Sequence, residues 1–164
     1  MINGLLGASL PRDHAYGFIK LGRLVECADM TTRIMDVGAG DIMERAGRFG
    51  AIDPLLWGAL LQALSAAAAY RREVGPIIEK DAALNFIFLS STFPRSIKYF
   101  VRETRKELMR LNNHDLTIRA VERLRRRLTR LDAEHFTSGE LHDYIDDFQL
   151  QLTSLDAAIQ STWF

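Results

Sequence analysis

The charged side chains Arg23, Glu26, Asp29 and Arg33 stand in a stretch, residues 21–37, that is otherwise mostly apolar. An ion beside apolar surface loses hydration, so such charges must be paired or put to use. One use is a clamp in which Glu26 and the arginines grip a charged ligand. Another is acid–base chemistry on Glu26, with Arg23, Arg33 and Arg95 stabilising charge. Arginines this close lower a carboxyl pKa, which favours the clamp over a general acid. The plainer outcome is an interhelical ion-pair network that fixes register. Arg23 and Glu26 are i,i+3 and can pair directly, whereas Glu26 and Arg33 are two turns apart and need a partner from another helix.

On a wheel of about 100° per residue, Glu26, Asp29 and Arg33 share an arc, with Arg23 at its margin beside Met30 and Ile34. Leu21, Leu24, Ala28, Thr32 and Met35 occupy the other side. Apolar residues flank the charged arc, so the charges are expected to face other helices, as a lock or as a polar pocket in the core.

Other groups carry weaker signals. Phe93-Pro94-Arg95-Ser96 opens a helix, whose free N–H groups, with Arg95 and the Ser96 hydroxyl, can hold an anion. The alternative is a rigid helix start with Arg95 tied to a carboxylate. Arg119, Arg123, Arg125, Arg126, Arg127 and Arg130 crowd one later helix. Pairing with Asp143, Asp146 and Asp147 on the last helix is expected; an acidic partner or nucleic acid is the alternative. The four histidines, His14, His114, His135 and His142, form no i,i+4 pair, and the Glu-x-x-His pattern of di-iron bundles is absent. Neither a metal nor a cofactor is expected. Cys27 has no histidine near it in sequence and reads as a small core thiol. Residues 36–41, Asp-Val-Gly-Ala-Gly-Asp, resemble a methyltransferase cofactor turn, but that turn must follow a buried strand. Here the preceding pattern is helical, so the glycines read as a helix C-cap.

The elements that position these residues are helical nearly throughout, with periods of three and four. A first helix is expected over 13–37, ended by Gly38 and Gly40, followed by a loop over 41–52. Asp53 as N-cap and Pro54 start a second helix over 53–74, stopped by Gly75-Pro76. Asp81 caps a short helix over 82–89. Pro94 opens a fourth over 94–111, and a fifth spans 115–134, its buried stripe made of Ile118, Val121, Leu124, Leu128 and Leu131. Thr137 and Glu140 form a capping box for the last helix, 138–161, which buries Leu141, Ile145, Phe148, Leu152, Leu155 and Ile159. The expected fold is all-α, an antiparallel bundle of five or six helices: a segment over 1–12, then one domain over 13–164.

Composition narrows the class. The 21 basic and 21 acidic side chains cancel, which disfavours general nucleic-acid binding. With 48% hydrophobic and 26% charged residues in 164, the chain has the balance of one soluble domain with a real core. The single cysteine allows no internal disulfide, so a cytoplasmic setting is expected. Residues 1–10 lack the basic start of a signal peptide. Residues 54–70 carry no charge, but they are short and too rich in alanine for a membrane span.

Leu21-Gly22-Arg23-Leu24-Val25-Glu26-Cys27-Ala28-Asp29, with Arg33, resembles the leucine-glycine-arginine, glutamate, alanine-aspartate signature of bacterial alpha-E domains, a family of unknown function. Ala68 through Arg72, Phe93 through Ser96, and Leu141 through Phe164 agree with later family segments. The resemblance runs from about Asp13 to Phe164 and looks like the C-terminal half of a longer protein, either a short member or a fragment. A face normally covered by the other half would then be exposed and able to form a homodimer. The resemblance implies an all-helical protein whose genes lie beside ATP-grasp and transglutaminase-like proteins. It therefore implies a helical accessory or binding protein of a peptide amide-bond system, without settling whether the chain is an enzyme. The family's polar positions fall on Arg23, Glu26, Asp29, Arg33, Arg95 and Ser96, and on Gln149.

Overall fold

The computed structural model describes residues 4, 8–45, 52–132 and 136–164. Seven helices and no strand occur among them: α1 (His14–Glu44), α2 (Asp53–Ala63), α3 (Ala67–Glu73), α4 (Lys80–Leu89), α5 (Ile97–Leu108), α6 (Asp115–Leu128) and α7 (Ser138–Trp163). The fold is all-α as expected. The count exceeds six because the predicted second helix is two.

α1 starts where Asp13 accepts a hydrogen bond from the Tyr16 N–H at 3.0 Å. It does not stop at Gly38 and Gly40 but runs on to Glu44. Glycine inside a helix costs about 1 kcal/mol relative to alanine. At Gly38 a Cβ would lie 2.6 Å from Leu60 Cδ1, so this glycine admits α2 rather than ending α1. Met35, Ala39 and Ile42, buried on either side, keep the final turns in the core. The expected loop 41–52 is therefore helical over its first residues; its glycines, Gly47 and Gly50, lie outside the described residues.

Ile52, not Asp53, is the N-cap of α2, and Asp53 sits in the first turn with Pro54. The helix breaks at Ser65, which adopts φ +55°. The Ala66 N–H bonds Leu61 O at 2.7 Å and the Ser65 N–H bonds Gln62 O at 2.8 Å, a Schellman closure built without glycine. α3 ends before Gly75, at φ +129°, as predicted. α4 begins at Lys80 with Glu79 as N-cap, so Asp81 is not its cap. α5 begins at Ile97, later than Pro94 implies, because Ser96 is its N-cap. α6 ends at Leu128, short of residue 134, which lies outside the described residues. The Thr137–Glu140 capping box forms as expected.

α1 packs against α7, α5 and α2, and α6 packs against both α5 and α7. Leu21, Leu24, Ala28, Thr32 and Met35 of α1 are buried as the wheel predicts. So are Leu141, Ile145, Phe148, Leu152, Leu155 and Ile159 of α7. Among the described residues no helix is long and apolar enough to cross a membrane.

Candidate functional site

Arg23, Glu26 and Arg33 are exposed and Asp29 is half-buried, so the expected core pocket does not form around them. Arg33 pairs with Asp29 at 2.8 Å, one turn back on α1. Among the described residues Arg23 and Glu26 form no ion pair with each other or with a neighbour. The wheel placed the arc correctly; its flanks turn to solvent as well. Met30 is 50% and Val37 75% exposed, and both lie on the charged stripe.

The electrostatic lock exists, but at another residue. Lys20 Nζ reaches Glu107 Oε1 at 2.6 Å and Glu103 Oε2 at 3.4 Å, joining α1 to α5. Glu107 and Glu103 are both buried. In sequence these carboxylates sit in the charged run 102–107, where no local spacing points to Lys20.

Arg95 stands exposed beside α1, where the Thr31 hydroxyl donates to its carbonyl at 3.2 Å. Ser96 is fully buried: its Oγ accepts from the Tyr99 N–H at 3.1 Å and donates to Ser90 O at 2.5 Å. That hydroxyl is committed to capping and to the turn. Gln149 Nε2 donates to Thr32 Oγ1 at 3.3 Å, tying α7 to the buried side of α1. Burial pushes the Cys27 thiol up, against the pull of Arg95 and the Thr31 hydroxyl, which favours the protonated form.

Among the described residues, the arginine helix makes its expected pairing with the last helix at one residue only. Arg127 pairs with Asp147 and lies over the Tyr144 ring, 4.6 Å from the centroid. Arg105 and Arg125 share Glu122, at 2.7 and 2.5 Å, and hold its carboxyl below the usual range. Arg123, Arg126 and Arg130 form no ion pair among the described residues. With Arg127 they line a groove of about 700 Å³ between α6 and α7, together with Leu131, Phe136, Tyr144 and Gln151.

One polar cluster joins α1 to α7. His142 Nδ1 lies 2.7 Å from Asp36 Oδ1, and Nε2 lies 3.5 Å from Asp146 Oδ2. Asp36, His142 and Asp146 thus offer three ligand atoms close enough for one ion. Asp36 bonds the imidazole and pulls its pKa up, with Asp146 adding to the effect, so the two carboxylates favour the protonated ring. Sequence places His142 among Glu140, Asp143 and Asp146, but no local spacing connects positions 36 and 142, so Asp36 is not readable as its partner. The resemblance of residues 36–41 to a cofactor turn ends here too, since they lie within α1 and no strand precedes them.

A family model described as "a predicted alpha-helical domain with a conserved ER motif", the alpha-E domain, matches residues 1–164. The chain belongs to the alpha-E family. The match takes in the whole chain, including the first twelve residues that the motifs alone left outside. No curated protein and no solved structure matches it. In this alpha-E chain the Glu-Arg dipeptide occurs twice, at Glu44-Arg45 and Glu122-Arg123. The first closes α1, where Arg45 pairs with Asp41 at 2.6 Å. The second lies in α6, with Glu122 turned to the α5 side and Arg123 lining the α6–α7 groove.

Proposed function

We propose that this alpha-E chain is a non-catalytic helical accessory protein. Its partner is an ATP-grasp or transglutaminase-like protein of a cytoplasmic peptide amide-bond system, docked on the exposed stripe of α1. One observation carries the docking face. Arg23, Glu26, Met30, Arg33 and Val37 recur at intervals of three and four residues, so they line one side of α1, and all five are exposed. Two large apolar side chains alternate there with charges that are mostly unpaired. That is the pattern of a rim and anchors awaiting a partner helix. Arg95 stands beside the stripe. The kind of partner rests on the gene neighbourhood that the family resemblance implies.

The alternative, an enzyme using Glu26 and the arginines, has less support. Glu26 stands on an open helix surface, where water is not excluded and a general acid gains little. The test is co-purification of the intact chain with a tagged ATP-grasp or transglutaminase-like protein from the same gene neighbourhood. A complex should form at low salt, and a Met30→Asp/Val37→Asp double variant should lose it. No complex with either protein, or one indifferent to the double variant, overturns the reading.

A further inference from the structure

We propose that the α6–α7 groove binds an acidic peptide, its carboxylates held by Arg123, Arg126 and Arg130, and one carboxylate with its adjoining amide met by Arg127, Tyr144 and Gln151. The site is separate from the α1 stripe and stands or falls without it.

Arg123, Arg126 and Arg127 share one face of α6, and Arg130 follows in the turn just past its end, so the four line the groove together. Guanidinium forks match carboxylates, and three of these four have no acid opposite them among the described residues. Two nearby carboxylates are already engaged. Glu140 accepts from the Thr137 N–H at 2.9 Å and its hydroxyl at 2.8 Å. Asp147 takes Arg127 and the Gln151 amide, the latter at 3.1 Å. Asp132, the third acid on the groove, also has a partner.

Unpaired polar atoms supply the second, independent observation. Arg127 Nε, Tyr144 Oη and Gln151 Oε1 are buried without a hydrogen-bond partner, and all three residues line this groove. Tyr144 is only 7% exposed. Leaving a buried polar atom without a partner is costly, so three at one groove need a reason. Their chemistry is also selective. Arg127 Nε and the Tyr144 hydroxyl are donors, fit for an oxyanion; Gln151 Oε1 is an acceptor and requires a donor. A carboxylate beside an amide N–H supplies both, whereas a bare phosphate dianion supplies only acceptors. Burial pushes the Tyr144 phenol up to about 12, so its proton is held for donation at any physiological pH. Leu131 and Phe136 give the groove an apolar patch for an intervening side chain.

The experiment titrates the intact chain into a fluorescein-labelled oligoglutamate peptide and reads anisotropy at low salt and at about 0.15 M salt. Binding should weaken with salt. An Arg126→Ala/Arg130→Ala variant should bind about tenfold or more weakly. Tyr144→Phe should bind several-fold more weakly while its ligand-free melting temperature stays level or rises, because it removes an unpaired buried hydroxyl. No peptide binding, or binding indifferent to the double variant, overturns the proposal. Displacement of the peptide by inorganic phosphate or by a single-stranded oligonucleotide at matched charge also overturns it, since the groove would then read charge alone. A Tyr144→Phe variant that loses stability with peptide affinity unchanged overturns the role of the hydroxyl.

Discussion

Lys20 spans from α1 to α5 and places its ammonium 2.6 Å from Glu107, a carboxylate whose side chain is 4% exposed. Glu103 shares the same lysine at 3.4 Å. A buried carboxylate keeps its charge only while a cation stays beside it. Lys20→Met should therefore destabilise the fold by about 2–4 kcal/mol, less than full burial would give because the lysine is partly solvated. Replacing both partners, Lys20→Met with Glu107→Met, should recover much of that loss. Urea unfolding of the two singles and the double decides it; additive losses would show that the pair is not coupled.

Ser65 holds a left-handed turn at φ +55°, is exposed, and joins α2 to α3. Glycine adopts that conformation without the Cβ penalty. Ser65→Gly should raise stability by about 0.5–1 kcal/mol, seen as a higher melting temperature, and Ser65→Val should lower it. A neutral or harmful glycine would mean that the serine side chain supports the turn.

Thr137 closes the N-terminus of α7 through reciprocal bonds with Glu140. Thr137→Ala removes both the cap and one donor to Glu140, and should cost about 1 kcal/mol. Circular dichroism melts should show the loss, and Thr137→Ser should restore most of it.

His142 carries a raised pKa because Asp36 bonds its ring, with Asp146 and Asp143 adding attraction. The folded state therefore holds the proton more tightly than the unfolded chain, whose histidine titrates near pH 6.5. The clasp contributes its full stability below that pH and loses it as pH rises through the folded pKa. The wild type should thus lose melting temperature over that window relative to His142→Gln, whose profile should stay flatter. An unchanged difference between the two curves from pH 5 to about 9 would remove the clasp from the account.

Helix faces were legible in the sequence because burial imposes a period: the core stripes of α1 and α7 follow directly from spacing. The capping box of α7 was legible because two specific side chains must sit three apart. The break at Ser65 was not, since Ala66–Ala69 favours helix and nothing local marks a left-handed serine. Gly38 misled for a related reason. Its function is tertiary, the close approach of Leu60, and a glycine signals an ending only when no neighbour claims the space. At the candidate sites, residue types were readable and partners were not. Arg127 could be assigned a carboxylate on α7, but nothing in the spacing revealed that Arg123, Arg126 and Arg130 would have none among the described residues, or that the Tyr144 hydroxyl would lack a hydrogen-bond partner. Lys20, Glu103 and Glu107 stayed hidden because their association spans more than eighty residues.

The turn before α5 is bound together from a distance. Glu73 of α3 accepts from Ser90 at 2.9 Å and from Thr92 at 2.6 Å, while Ser96 fastens back onto Ser90. Arg95 sits on this knot, and Thr31 of α1 grips it from the other side. A carboxylate two helices away thus acts as the mooring for a surface guanidinium. Substituting Glu73 would loosen this turn and shift Arg95 with no change at position 95 itself, so on the proposed docking face a side chain can be repositioned from a helix outside it.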